Sequence, residues 1–166
     1  MRLQDKVAIV TGGGSGFGEG IAKAYAREGA SVVVADIGET GGLRVVEEIK
    51  AAGGRAVFAK ADVSKRADMD QLLATALEHF GKLDIVVNNA GTTHRNRPML
   101  EVEEDEFDRV YAVNVKSIFL SAKTFVPYFR QVGGGAFVNI ASTAGIRPRP
   151  GLTWYNGSKG AVITTS

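Results

Sequence analysis

Val7-Ala8-Ile9-Val10-Thr11-Gly12-Gly13-Gly14-Ser15-Gly16-Phe17-Gly18-Glu19 is the stretch that decides the architecture of this 166-residue chain. A short apolar run gives way to a glycine loop, and a helical pattern follows that is expected to start near Glu19. The apolar run shows no polar alternation, which is the signature of a strand covered on both faces. A helix N-terminus leaves backbone N–H groups unpaired and carries partial positive charge, so it favours a pyrophosphate. Glycines let the backbone turn tightly and approach such a group. The spacing is Gly-x-x-x-Gly-x-Gly at Gly12, Gly16 and Gly18, with no Gly-x-x-x-x-Gly-Lys-Ser/Thr, which argues against a P-loop nucleotidase. A merely flexible turn is the plainer account, and the position between strand and helix weighs against it.

Outward from this stretch the same alternation recurs. Strands are predicted at Val7 to Val10, Ser31 to Ala35, Ala56 to Ala59, Leu83 to Val87 and Ala136 to Ile140. Between them lie patterns with the 3.6-residue period. Met69, Leu72, Leu73, Ala76, Leu77 and Phe80 mark one inner face, and Val115, Ile118, Phe119, Ala122, Val126 and Phe129 mark another. Pro127 falls inside the second pattern and is expected to bend or shorten its last turns. Strands alternating with helices predict an α/β fold with a doubly wound parallel sheet, Rossmann-like, over residues 1–166 as one domain. Ligands of such sheets bind beyond the carboxyl ends of the strands, so each functional motif is expected just after a strand.

Composition narrows the chemistry. With no cysteine, thiolate metal sites, disulfides and cysteine nucleophiles are excluded, and only His79 and His94 supply imidazoles. His79 is expected at the surface, and no metal is expected. Lys plus Arg is 20 against 18 for Asp plus Glu, a net charge of +2 that gives no reason to expect nucleic acid or a membrane surface. No apolar run is long enough to cross a bilayer and no signal sequence precedes the first strand, so a cytoplasmic protein is expected.

The second strand ends in Ala35-Asp36-Ile37. A carboxylate about 20 residues past a glycine loop accepts hydrogen bonds from the adenosine ribose and repels a 2′-phosphate. No Arg or Lys follows it or sits within the loop, so NAD is expected over NADP. A bare cap for the turn into the next helix is the other reading of Asp36.

With these residues in place the chain resembles the short-chain dehydrogenase/reductase family, in its subtype with Thr-Gly-x-x-x-Gly-x-Gly at Thr11 to Gly18. Asp62-Val63 follows the third strand and Asn88-Asn89-Ala90-Gly91 the fourth. Asn114 lies in the next helical region, Ser142 ends the fifth strand, and Tyr155-Asn156-Gly157-Ser158-Lys159 gives Tyr-x-x-x-Lys. The resemblance implies an oxidoreductase moving hydride between a nicotinamide cofactor and an alcohol or ketone, similar to 3-oxoacyl-carrier-protein reductases and related sugar or cyclic-alcohol dehydrogenases. It implies cofactor contacts at Gly12, Ser15, Gly16, Phe17, Gly18, Asp36, Ile37, Asp62, Val63, Asn89, Ala90 and Gly91, and at Tyr155 and Lys159. Tyr155 is then the general acid/base, Lys159 its electrostatic partner and a ribose-binding group, Ser142 the donor to the substrate oxygen, and Asn114 the holder of a relay water. One turn separates Tyr155 from Lys159, so both share a face, and a nearby ammonium favours the ionised form of a phenol.

The family continues beyond the equivalent of Ser166 with another nicotinamide-contacting strand, a substrate-covering segment and a last strand. The domain is therefore expected to be incomplete at its C-terminus, with an uncovered fifth strand and weak activity alone. The complete protein is expected to form a homo-dimer or homotetramer, with Phe125 and Tyr128 off the inner stripe of their helix. Nucleotide-sugar epimerases share Tyr-x-x-x-Lys but resemble a Gly-x-x-Gly-x-x-Gly loop, which is not the spacing here. A cofactor-binding module without turnover is the non-enzymatic alternative. Thr92 to Pro98, with His94, Arg95 and Arg97, and Ile146 to Trp154 are expected to flank the pocket, the former as a solvated loop.

Overall fold

The computed structural model describes residues 1–166. Five parallel strands, β1 (Val7–Thr11), β2 (Ser31–Asp36), β3 (Arg55–Lys60), β4 (Ile85–Asn88) and β5 (Ala136–Asn139), form one sheet in the order β3-β2-β1-β4-β5. The helices are α1 (Gly16–Arg27), α2 (Glu39–Ala51), α3 (Arg66–Phe80), α4 (Glu104–Tyr111), α5 (Ser117–Val132) and α6 (Thr153–Thr164). Alternate residues of one strand point to opposite faces, and the two faces carry separate cores. Ile9, Val33 and Val86 join Met69, Leu72, Phe125 and Phe129 on one side. Val10, Val34 and Val87 join Ala22, Val45 and Ile49 on the other. The sheet is doubly wound, Rossmann-like, as its alternating pattern implies. β1 pairs with β2 on one side and β4 on the other, so the strand order reverses beside the loop that follows β1. No helix is long and apolar enough to cross a membrane.

The helix between β4 and β5 departs from its sequence pattern in two ways. First, it does not end early at Pro127. It runs on to Val132, where Gly133 closes it with a φ of 89°. Phe125 and Phe129 are buried on either side of the proline, and that packing outweighs one missing backbone hydrogen bond. Second, its inner face follows the expected stripe only in part: Phe129 is buried and Val115, Ile118 and Val126 are half-buried. The buried residues are Ser117, Leu120, Ser121, Thr124, Phe125 and Phe129, while Phe119 is 61% exposed and Ala122 faces outward. Two of the three small hydroxyl residues have their polarity met inside: Ser117 Oγ donates to the Val113 carbonyl (2.5 Å) and Thr124 Oγ1 to Asp70 Oδ1 (2.7 Å), whereas the buried Ser121 Oγ has no partner. Phe125, expected off the inner stripe, is wholly enclosed. On α3, Leu77 likewise proves exposed, whereas Met69, Leu72 and Ala76 are buried as their spacing implies. His79 is exposed.

Ahead of α5, residues Ala112–Lys116 form a π-helical turn that joins it directly to α4. At the far edge, β5 pairs only with β4, and its Phe137 and Val138 remain partly open to solvent.

Candidate functional site

The loop after β1 is shaped by its glycines. α1 begins at Gly16, earlier than the expected start near Glu19, and its N-cap Ser15 makes no side-chain capping bond. The first-turn amides of Phe17 and Gly18 therefore keep their donors for a ligand. Gly12 and Gly16 have φ of +63° and +54°, a region that side-chain-bearing residues rarely adopt. Nothing lies within 4 Å of where a Cβ at Gly16 would stand, so the space over the loop is open. Gly18 serves the opposite purpose: a Cβ there would run into the Gly12 carbonyl and the Asn89 amide.

The carboxyl ends of β1 and β4 are laced together through Thr11. Its hydroxyl donates to the Val87 carbonyl (3.3 Å) and accepts from the amides of Asn89 (3.0 Å) and Ala90 (3.1 Å). Asn89 Nδ2 donates to the Thr11 carbonyl at 2.9 Å. Asp36, at the end of β2, accepts from the amides of Gly14 and Gly38, each at 2.8 Å. It thus caps the turn into α2 and also lines the groove. Arg44 reaches the loop, its Nη2 donating to the Gly14 carbonyl (3.3 Å), but Glu19 (2.6 Å) and Glu48 (2.8 Å) claim its charge. Arg44 and then Lys23 hold the Glu19 carboxyl down at about 2. Asp62 accepts from the Ser64 amide (3.0 Å) and hydroxyl (2.7 Å), and that hydroxyl is the chief cause of its lowered pKa.

These elements enclose a groove of about 520 Å³. Gly12, Ser15, Gly16 and Phe17 line it from the loop, and Asp36, Ile37, Asp62 and Val63 from the ends of β2 and β3. Asn89, Ala90 and Gly91 complete it from the end of β4. Phe17 is 85% exposed and Ile37 is also bare, leaving apolar surface on the groove's rim. A second cavity, about 760 Å³, adjoins the first by sharing Phe17, Asn89, Gly91 and Thr92, and is lined by Ser142, Tyr155 and Lys159.

α6 carries Tyr155 and Lys159 into this cavity. Lys159 is 5% exposed, its Nζ donates to the Ile140 carbonyl at 2.8 Å, and burial pushes its pKa below the usual lysine value. Ser142 lies past the end of β5 rather than within it, capping a 3₁₀ turn by accepting from the Ala144 amide (3.1 Å). Asn114 occupies the π-helical turn, where a π-turn commonly marks a functional position. Its Oδ1 accepts from the Thr92 amide (2.8 Å), and its Nδ2 donates to the Thr92 carbonyl (2.9 Å) and to Ser158 Oγ (2.9 Å). It ties the Gly91-Thr92 wall to the residue next to Lys159.

Two expected residues do not reach a cavity wall: Gly18 lies beneath the loop, and Asn114 stands behind Gly91. Ala61, Arg109 and Val113 join the first groove without any signal in the sequence pattern. Of the flanking loops, Thr92, Thr93, Arg149 and Leu152 line the second cavity. His94, expected in a solvated loop, is instead 2% exposed, with Nδ1 2.7 Å from the Arg95 carbonyl. Arg97 is held bidentately by Glu106, both contacts at 2.7 Å.

Residues 6–166 match the profile of the family described as short chain dehydrogenase. The chain belongs to the short-chain dehydrogenase family. It is 56% identical over 163 residues to 4-formylbenzenesulfonate dehydrogenase of Comamonas testosteroni, covering 98% of this chain and 65% of that protein. It is 41% identical over 162 residues to 2,5-dichloro-2,5-cyclohexadiene-1,4-diol dehydrogenase of Sphingobium indicum, covering 97% of this chain and 64% of that protein. Among solved structures, 3-ketoacyl-(acyl-carrier-protein) reductase from Brucella melitensis complexed with NADH superposes with a TM-score of 0.93 at 46% identity, covering 98% of this chain and 67% of that one. This short-chain dehydrogenase thus spans just under two thirds of the length of those two dehydrogenases.

Proposed function

We propose that this protein is an NAD(H)-dependent oxidoreductase that interconverts alcohols and carbonyl compounds, with residues 1–166 acting as its dinucleotide-binding domain. One observation carries the reading: Ser142, Tyr155 and Lys159 line a single cavity that opens into the groove beside the glycine loop. A dinucleotide suits that groove. Free first-turn amides and the open space over Gly16 would receive the pyrophosphate. Asp36 would accept from the adenosine ribose, and Ile37, Asp62 and Val63 would flank the adenine. When bound, the nicotinamide supplies the hydride acceptor or donor.

Tyr155 exchanges a proton with the substrate oxygen, as general base in alcohol oxidation and general acid in carbonyl reduction. Ser142 donates a hydrogen bond to that oxygen and stabilises its developing negative charge. Lys159, anchored on the Ile140 carbonyl, sets a cation behind the phenol and binds ribose. Asn114 fixes the Thr92 backbone and Ser158, and so the wall and helix turn that position Lys159, where it holds the relay water. The Asp36 carboxylate favours NAD over NADP, and Arg44 gives a 2′-phosphate little welcome while Glu19 and Glu48 neutralise it. The reductase from Brucella melitensis carries NADH in its structure, which agrees with this choice. Substrates resemble those of 3-oxoacyl-carrier-protein reductases or of dehydrogenases of small functionalised alcohols.

A second copy of the chain covers the outward apolar stripe of α5, Ile118, Phe119, Ala122 and Val126, giving a homo-dimer or homotetramer. Sedimentation of Phe119→Glu is expected to show a smaller assembly than wild type. The function itself is tested by following NADH absorbance with a panel of ketones and aldehydes. Consumption of NADH that is lost in Tyr155→Phe supports it, and NADH binding without turnover of any carbonyl or alcohol would replace it with a non-catalytic dinucleotide-binding module.

A further inference from the structure

The hydride-transfer reading leaves unused the segment Arg147-Pro148-Arg149-Pro150-Gly151-Leu152, which arches over the second cavity just before α6. Its middle is rigid by covalent chemistry. Pro148 fixes its own φ, and Pro150 drives the preceding Arg149 out of the helical region. Side-chain clamps hold the arch from both sides. The buried Asn156 accepts from the Arg149 amide (3.2 Å) and donates to the Arg149 carbonyl (2.9 Å). Across the mouth, Asn96 Nδ2 donates to the Pro150 carbonyl (2.9 Å), and the Arg97 amide to the Gly151 carbonyl (3.1 Å). Asn156 follows Tyr155 directly, so the same turn of helix that presents the phenol fixes the backbone of Arg149.

The two arginines at this mouth have opposite fates. Arg97 is locked on Glu106 by two hydrogen bonds and lies outside the cavity wall. Arg149 lines the cavity with Ser142 and Tyr155, and its guanidinium makes no ion pair or hydrogen bond within the chain. No carboxylate lines that cavity, while Phe17, Ile21 and Leu152 give it apolar walls. We propose that Arg149 is a specificity-determining residue that receives an anionic group of the substrate. The preferred substrates are then compact hydroxyl or carbonyl compounds with an apolar body and a carboxylate or sulfonate remote from the reacting carbon. A planar guanidinium fork matches either group, and a pre-fixed backbone lowers the ordering cost of binding. This inference rests on the hydride-transfer reading and names the substrate class of the same site.

The test uses the full-length protein with NAD, two anionic alcohols, 4-(hydroxymethyl)benzoate and 4-(hydroxymethyl)benzenesulfonate, and neutral 4-methylbenzyl alcohol. The wild type is expected to favour the anionic pair, and the better of the two identifies the anion. Arg149→Gln is expected to lower kcat/KM on the anionic pair by roughly ten- to hundredfold, mainly through KM, with a loss on the neutral alcohol at least about tenfold smaller. Arg149→Lys restores part of the difference, and Arg147→Gln, exposed and outside the cavity wall, alters none of these values. Calorimetric titration of unreactive benzoate into the NAD complex reads the same site without turnover: binding is expected in wild type, weakened by salt and by Arg149→Gln. Equal losses on charged and neutral alcohols, or no preference in the wild type, would overturn the proposal. If no alcohol is oxidised at all, the hydride-transfer reading falls, and the benzoate titration still decides whether Arg149 holds an anion.

Discussion

Val33 and Val138 occupy strands of one sheet, yet the first is sealed from solvent and the second is 38% exposed. β1 and β2 are enclosed on both faces by α1, α2 and α3, while β5 is an edge strand with little over it. The groove beside the glycine loop therefore stands on the best-packed part of the molecule. The cavity with Ser142, Tyr155 and Lys159 stands on its lightly clad rim, held by a few polar anchors: Lys159 on the Ile140 carbonyl, Asn114 on Ser158, and Asn88 Nδ2 on Asn139 Oδ1 at 2.8 Å. The lesson is a division of labour, with stability concentrated under the dinucleotide groove and reactivity placed where little else is packed.

The sharpest way to break this division is Tyr155→Phe. It is expected to lower turnover by about 10²–10⁴-fold, with NADH affinity and the unfolding midpoint close to wild type. A midpoint that fell with activity would show that the rim is a structural element after all. Next comes the same deletion made in both regions. Val33→Ala is expected to cost about 2 kcal/mol in denaturant unfolding, and Val138→Ala less than about 0.5 kcal/mol. Equal costs would erase the contrast. A smaller effect is expected at the groove itself. Asp36→Ser should shift the ratio of NAD to NADP affinities by about tenfold toward NADP, read by titrating each reduced cofactor, because the repelling carboxylate is gone.

The smallest effect is in acid. The Glu19 carboxyl is depressed to about 2 by Arg44 and Lys23, below its ordinary 4.5. Its contribution to stability is complete above pH 4.5 and is lost as pH falls toward about 2. Glu19→Gln is expected to flatten the pH dependence of the unfolding midpoint in that window and to lower the midpoint by a constant amount above pH 4.5. A profile identical to wild type would show that this ion-pair cluster behind the loop contributes nothing.

Much of the sheet could be read from the chain because buried strands announce themselves. Val7 to Val10 and Ser31 to Ala35 have no polar alternation, and the structure encloses them on both faces. The glycine loop was equally legible, since a residue such as Gly12 at φ +63° leaves glycine as the natural occupant. Helix faces were less legible. On α5 Phe119 and Ala122 of the expected stripe point outward, and Ser117, Ser121 and Thr124 point in. Hydrophobic period misses inward hydroxyls that find partners, as Ser117 and Thr124 do in the Val113 carbonyl and Asp70, and it misses Ser121, which is buried without one. His94 defeats the pattern for a related reason: a polar residue between Thr93 and Arg95 looks solvated until the chain folds over it. Arg109 reaches the groove from α4 without belonging to any motif, so only tertiary structure brings it there.

The π-helical turn at Ala112–Lys116 makes the path from α4 to α5 a phase-setting device. Each residue of an α-helix advances the side-chain direction by about 100°. Removing one residue from this turn would relax it to ordinary helix and rotate everything downstream, bringing Ile118 and Ala122 to the inward positions of Ser117 and Ser121. Within this stretch, replacing a residue is a local event, whereas gaining or losing one would refile the whole helix against the sheet.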